Sequence, residues 1–303
     1  MYPIKEIYTA RTVSEALTFR KEHPEAVYIA GGSDILVALR NGRMDDAVLI
    51  SLYQIDDLRG IAIEEDGTLK IRPLTCFTDL TESSLIAETA YILGEASGQV
   101  GGPQIRNIGT VGGNICNGVT SADTASTLLA YDAVLEVTGL EGIRLIPMSE
   151  WYIKAGQTAL KSDEILTEIR IPERSWKDHY GQYIKFSTRR AMDIATLGCS
   201  LNLALAEDRK QLKDLRIAFG VAGPVPYRLK KTEEAFRESV LTDCLIDRIV
   251  ESAMTEIHPR SSWRASAEFR MELAGELIRE AFRSGLTQLS EAADRGRRQW
   301  KNG

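Results

Sequence analysis

The stretch IRNIGTVGGNICNGVTSAD, from Ile105 to Asp123, holds four glycines and a single basic residue, Arg106. Glycine lacks Cβ, so it reaches positive φ and lets another group approach the backbone closely. A second stretch, YIAGGSDILVAL from Tyr28 to Leu39, has the same character. Successive free N–H groups in such turns make anion-binding concavities. In AGGSDIL, Gly31 and Gly32 give the turn, and Ser33 and Asp34 cap a short helix whose start faces outward. That arrangement favours a phosphate. Neither stretch contains lysine, so binding would rest on backbone amides and on hydroxyls such as those of Ser33 and Thr110. Asp123 would repel a diphosphate and is better placed to accept hydrogen bonds from sugar hydroxyls. Glycine pairs also build tight turns and close helix–strand contacts. Two such stretches, each following an apolar segment, point to a ligand without naming it. No GxGxxG and no GxxxxGK[ST] occurs, so the Rossmann fingerprint and the P-loop are both absent.

The elements around these stretches suggest mixed architecture. TVSEALTFRKEHPEA reads as a helix capped by Ser14 and ended by Pro24. AVYIAGG and DAVLISL read as strands, with a helical turn stopped by Asn41-Gly42 between them. This order suggests a small α/β subdomain over about the first 55 residues. GIAIEE and TLKIRPL alternate around Asp66-Gly67, a hairpin signal. DLTESSLIAETAYILGEASGQV reads as helical, and DEILTEIRIP as an alternating strand. Several strands follow, two of them joined by EDRKQ. Then come the helices TEEAFRESV and LTDCLIDRIVESAMTEI. A long last helix carries Phe269, Leu273, Leu277, Ile278 and Ala281 on one face.

The 303 residues suffice for two domains. Lys and Arg number 37 against 43 Asp and Glu, a net charge of −6 that argues against a broad nucleic-acid surface. No apolar run approaches the roughly 20 residues that span a membrane, and the start does not read as a signal peptide. The expectation is a cytoplasmic protein without membrane partners. Cys76, Cys116, Cys199 and Cys244 form no CxxC pair, and His23, His179 and His258 are scattered. Neither set has metal-ligand spacing. Glu64-Glu65 and Asp56-Asp57 read as solvated loop charges. DRGRRQWKNG reads as a solvated basic tail.

Six blocks in order resemble the FAD-binding medium subunit of the molybdenum hydroxylases, the group of xanthine, carbon monoxide and nicotinate dehydrogenases. They are AGGSD (30–34), RNIGTVGGNICNGVTSAD (106–123), GQTALKSDEILTEIRIP (156–172), KFSTRRAMDIA (185–195), GVAGPVPYR (220–228) and RASAEFRMELAGELIREA (264–281). The resemblance implies an α+β fold. An FAD-binding domain of the PCMH type would occupy 1–174, in two α/β subdomains of about 1–55 and 56–174. A smaller α+β domain would follow at 175–287, and the basic tail at 288–303. By motif position, Ile29, Ala30, Gly31, Gly32, Ser33, Asp34 and Ile35 would wrap the diphosphate of FAD. Thr110, Gly113, Asn114 and Cys116 would line the pyrophosphate and ribityl side, with Gly112 at a close approach to the cofactor. Ala122 and Asp123 would hold sugar hydroxyls, and Leu166 would pack near the adenine or the ring system. Lys185 stands where the family places a basic side chain near the flavin; a surface lysine on a strand edge is its alternative.

Two segments depart from the family pattern. Thr124 and Ala125-Ser126 stand where many relatives have proline, and Gly223 stands in the turn of GVAGPVP. No cysteine-rich insertion for an extra [4Fe–4S] cluster is present. The resemblance further implies an FAD-dependent oxidoreductase subunit in a heteromeric complex. Molybdopterin would sit on a large partner subunit and [2Fe–2S] clusters on a small one, with electrons leaving through FAD to NAD or another acceptor. A purine such as xanthine is the expected substrate of the complex. The competing readings are a free-standing flavin oxidoreductase of the same fold and an FAD-free scaffold subunit.

Overall fold

The computed structural model describes residues 2–301, with side chains through Glu291. The first subdomain runs β1 (Ile4–Thr9), α1 (Val13–Glu22), β2 (Val27–Ile29), α2 (Ile35–Arg40) and β3 (Ala47–Ser51). Its three strands are parallel in the order β1-β3-β2. Thr12, not Ser14, caps α1: its side chain accepts from the Glu15 N–H at 3.1 Å. Gly42, at φ +65°, follows the Asn41 cap of α2, as the Asn-Gly stop predicts.

The second subdomain begins with the predicted hairpin, β4 (Ile61–Ile63) and β5 (Leu69–Ile71). The helical stretch expected next is divided into α3 (Phe77–Glu82), α4 (Ser84–Glu88) and α5 (Tyr91–Gly98). Local hydroxyl bonds compete with helix continuation there. The Ser83 side chain accepts from Ile86 N–H at 3.2 Å, and Thr89 Oγ1 donates to Leu85 O at 2.6 Å. α6 (Pro103–Arg106), α7 (Val111–Cys116) and α8 (Asp123–Ala130) follow. Then come β6 (Val134–Gly139), β7 (Gly142–Pro147), the small pair β8 (Tyr152–Lys154) and β9 (Gln157–Thr158), and β10 (Glu164–Ile171). The main antiparallel sheet has the order β4-β5-β10-β6-β7. β10 is central and nearly all of it is buried, so the expected alternation does not hold. Its register against β6 shifts between Leu166 and Glu168. A bulge of this kind re-aims neighbouring side chains. Glu64 is not a solvated loop charge; it pairs with Lys70 at 2.6 Å and with Arg170 at 3.0 Å.

The last part carries β11 (Tyr180–Phe186), β12 (Leu197–Leu205), β13 (Leu212–Gly220) and β14 (Tyr227–Arg228) in one antiparallel sheet. α9 (Lys230–Phe236), α10 (Leu245–Met254) and α11 (Ala267–Lys301) follow. α10 buries Leu245, Ile249, Val250 and Ala253 at helical spacing against the sheet's own apolar core. α11 continues well past Gly285, where the sequence ends its helix. The side chains of the basic tail beyond Glu291 lie outside the described residues. Among the described residues, no helix is long and apolar enough to cross a membrane.

α8 joins the two halves. All eight of its residues are buried, and it packs on β12 and β13. Ser126 and Ser200 share a hydrogen bond of 2.8 Å. At the helix C-terminus, Arg216 Nη1 donates to Ala130 O at 3.3 Å, a cation at the negative end of the helix.

Candidate functional site

A cleft of about 710 Å³ opens where the first subdomain meets the second, within the range of cofactor pockets. One wall is the segment after β2. Ala30, Gly31, Gly32, Ser33, Asp34 and Ile35 all line it. Gly32 takes φ +76°, a conformation that favours glycine. Among the described residues, the N–H groups from Gly31 through Ile35 find no acceptor in the protein. Five successive unpaired amides beside a cleft form the donor set that an anionic diphosphate requires. The cap predicted from Ser33 and Asp34 is not made; Asp34 stands at the N-cap of α2 in helical conformation, without a side-chain bond.

The opposite wall is the second glycine stretch. It is no open loop but α7, whose N-cap Thr110 accepts from Gly113 N–H at 3.1 Å. Thr110, Gly113, Asn114 and Cys116 line the cleft as expected, yet the amides here are committed within the protein. Val111 N–H donates to Thr75 O at 3.1 Å, Gly112 N–H to Pro73 O at 2.9 Å and Asn114 N–H to Thr110 O at 3.0 Å. Gly112 lines the cleft as well, but its tightest contact is within the protein. A Cβ there would lie 2.4 Å from Pro73 Cβ and 2.7 Å from Pro73 O, so its close approach is to the Pro73 backbone. Likewise a Cβ at Gly31 would meet Ile108 O at 2.0 Å. The two glycine stretches therefore pack on each other as well as facing the cleft.

Asp123 lines the cleft at the start of α8. Its Oδ1 accepts from Tyr183 Oη at 2.6 Å and its Oδ2 from Lys185 Nζ at 2.9 Å. Both charged side chains are deeply buried, 8 % exposed for Asp123 and 6 % for Lys185, so Lys185 is not a surface lysine. Burial pushes the Asp123 carboxyl up, while Lys185 and Tyr183 oppose that shift. Lys185 Nζ also donates to Gln99 O at 3.0 Å. The cluster fastens β11 to α5 and α8 at the edge of the cleft.

The bulged strand β10 supplies Glu164, Ile165 and Leu166 to the cleft. Arg144 grips Glu164 with bonds of 2.7 Å to each carboxylate oxygen. That pairing, against the effect of burial, holds the Glu164 carboxyl below the usual range. Cys116 presents a neutral thiol, its pKa pushed up to about 12 by burial.

Ile29, Ala122 and Lys185 stand off the cleft wall. Ile29 packs with the Leu39 and Leu49 core, Ala122 is the buried N-cap of α8, and Lys185 reaches the cleft through Asp123. Sequence reasoning missed Phe77, Val100 and Ile105, and the strap Met192, Asp193 and Ile194 from the C-terminal domain. Met192 sits at φ +53° with its N–H on Gly101 O at 3.3 Å. The only sequence signal for the strap was its position inside KFSTRRAMDIA. Among the described residues, no group of three or more His, Cys, Asp or Glu is placed to hold a metal ion.

Comparison with known proteins gives two family matches along the chain. Residues 3–174 match the family described as the FAD binding domain in molybdopterin dehydrogenase. Residues 182–284 match the CO dehydrogenase flavoprotein C-terminal domain. The xanthine dehydrogenase FAD-binding subunit of Escherichia coli O157:H7 is 38% identical over 274 residues, covering 90% of this chain and 93% of that protein. The carbon monoxide dehydrogenase medium chain of Hydrogenophaga pseudoflava is 26% identical, covering 92% of this chain and 96% of its own. A solved carbon monoxide dehydrogenase structure from the same organism superposes with a TM-score of 0.89 at 25% identity, over 95% of this chain and 99% of that one.

Proposed function

This chain belongs to the family of FAD-binding subunits of the molybdopterin dehydrogenases, and we propose that the cleft holds its FAD. The run of unpaired amides from Gly31 to Ile35 carries this reading. Those amides would bind the diphosphate, and α7 would serve as the packed wall behind it. Asp123, fixed by Tyr183 and Lys185, would accept from the sugar hydroxyls. Leu166 and Ile165 would pack against a ring. The strap Met192–Ile194 would shield the cofactor from water on the C-terminal side. Bound FAD supplies redox chemistry that links one-electron donors on a partner chain to NAD or another acceptor.

In this proposal the chain is the medium subunit of a cytoplasmic xanthine dehydrogenase-like complex. A large partner subunit holds molybdopterin and oxidises the substrate, and a small one holds [2Fe–2S] clusters. The 38% identity to a xanthine dehydrogenase FAD-binding subunit supports a purine substrate for the complex. The test is isolation of the tagged chain from its native host, with flavin, iron and molybdenum analysis. Three subunits with all three components are expected. A yellow chain alone, without metal, would mean that it does its own chemistry, and a colourless chain that refuses added FAD would remove the cofactor reading.

A further inference from the structure

From Val111 to Asn114 the backbone amides of α7 are all committed within the protein, but the Asn114 side chain is only half committed. Its Oδ1 accepts from Thr124 Oγ1 at 2.6 Å. Its Nδ2 has no acceptor among the described residues, yet it is not sealed inside the protein, so it is open to the cleft that Asn114 lines. Asn117, three residues on, lines the same cleft without any side-chain hydrogen bond among the described residues, so either end of its amide can turn to a ligand. Asn114 differs because one of its ends is taken.

Which end is taken follows from Thr124. It is the second residue of α8 and is fully buried. Its hydroxyl finds no acceptor other than Asn114 Oδ1 among the described residues. An amide oxygen only accepts and an amide nitrogen only donates. Were the amide turned over, Nδ2 would donate to Thr124 Oγ1, and the hydroxyl proton would be left buried without an acceptor. An orphaned donor of this kind is costly. The observed orientation satisfies the hydroxyl and leaves the donor end of Asn114 free. Thr124 is itself held in place: its carbonyl accepts from Thr127 Oγ1 at 2.7 Å, and α8 is buried along its whole length.

We propose that Thr124 is a positioning residue for the cofactor, holding the Asn114 amide so that Nδ2, and not Oδ1, meets the FAD. The inference rests on the cofactor reading above. A diphosphate and its sugar hydroxyls offer many acceptor oxygens, and an amide oxygen turned toward them would oppose their negative charge. The second glycine stretch contains no lysine and its backbone donors from Val111 to Asn114 are committed, so a fixed side-chain donor supplies what that wall otherwise lacks. Thr124 does not itself line the cleft, so it acts through Asn114.

The test uses the full chain stripped of flavin and titrated with FAD, with Tm and circular dichroism measured beside each titration. Thr124→Val keeps the shape of the side chain and removes the hydroxyl. FAD should then bind about tenfold more weakly, and Thr124→Ser should restore wild-type affinity. Asn114→Ala should lose affinity by a similar factor. Thr124→Val added to Asn114→Ala should bring no further loss, because the two residues act as one unit. Asn114→Asp keeps the acceptor for Thr124 but replaces the donor with a charged oxygen. Its Tm should hold while FAD binds on the order of a hundredfold more weakly. Should Thr124→Val fail to fold, Asn114→Asp decides alone. Equal losses from Thr124→Val with and without Asn114 would mean that Thr124 merely supports α8, and would overturn the inference. Wild-type FAD affinity in Thr124→Val or in Asn114→Asp overturns it as well, while leaving the cofactor reading intact. A folded wild-type chain that refuses FAD removes the cofactor reading, and this inference with it.

Discussion

The two glycine-rich stretches face one cleft and read alike as sequences, but their backbones do opposite things. Among the described residues, the amides from Gly31 to Ile35 find no protein acceptor, whereas from Val111 to Asn114 every amide has one. The first wall can offer its backbone to a ligand. The second has closed its backbone into α7, and its glycines let that helix lie against Pro73. Glycine content therefore marks close approach in both, while only the hydrogen-bond inventory says to what. The clearest tests separate binding from folding at each wall.

The largest effect is expected where the second stretch ends, at the buried pair of Asp123 and Lys185. Lys185→Met strands a buried carboxylate, a loss of roughly 3–5 kcal/mol for a broken buried pair. Without the lysine, burial is opposed only by the Tyr183 hydrogen bond, and it keeps the folded pKa of Asp123 above the unfolded value of about 3.9. The folded state then binds the proton more tightly, so stability is greatest at low pH and falls as pH rises toward the folded pKa. Urea titrations at pH 5 and pH 8 should find the variant less stable at pH 8. Equal loss at both values would mean that Lys185 contributes by packing alone.

Gly112→Val comes next. Its Cβ would overlap backbone and ring atoms of Pro73, which cannot rotate away. A cost of about 3 kcal/mol is expected for overpacking of this kind. Flavin content should fall only in step with the folded fraction, read by Tm and circular dichroism together. A stable Gly112→Val protein that lacks flavin would return this glycine to direct cofactor contact.

Gly32→Ala should behave in the reverse way. Its Cβ would meet only side-chain ends, Ile29 Cδ1 at 3.2 Å and Leu36 Cδ1 at 3.5 Å. The penalty is the φ of +76°, costing about 1–2 kcal/mol. Relaxing that angle would turn the amides out of the cleft. FAD affinity should drop by more than stability does, on the order of tenfold or beyond, when apo-protein is titrated with FAD and Tm is measured alongside. Unaltered affinity would show that the nest is not the diphosphate site.

The comparison also explains what was legible in the sequence. Elements with strong local punctuation were readable: the Asp66-Gly67 hairpin, the Asn41-Gly42 stop and the amphipathic α10. Most of the residues assigned to the cofactor by motif position do line the cleft. The second stretch as a helix was not readable, because glycines at 112 and 113 argue locally against one. Only the fit of α7 against the segment around Pro73, a long-range fact, makes it favourable. The strap Met192–Ile194 was invisible for the same reason: its place in the cleft is set by Gly101 and by the sheet that carries it. The breaks at Ser83 and Ala90 turn on single hydroxyl bonds that an apolar periodicity does not register.

The smallest effect tests whether α7 acts only as a wall. Thr110 Oγ1 accepts from Gly113 N–H, and that bond is the N-cap of the helix. Thr110→Ala should cost about 1 kcal/mol, the ordinary value of a lost cap. It would also free the amide of Gly113, a residue that lines the cleft. If the second wall is passive, the variant loses stability and holds FAD as before. If FAD binding instead tightens while Tm falls, a freed amide on this side can be recruited by the ligand. The difference between the walls would then lie in one hydroxyl, because Thr110 competes with the cofactor for that donor. Thr110→Ser keeps the acceptor and should restore both stability and wild-type affinity.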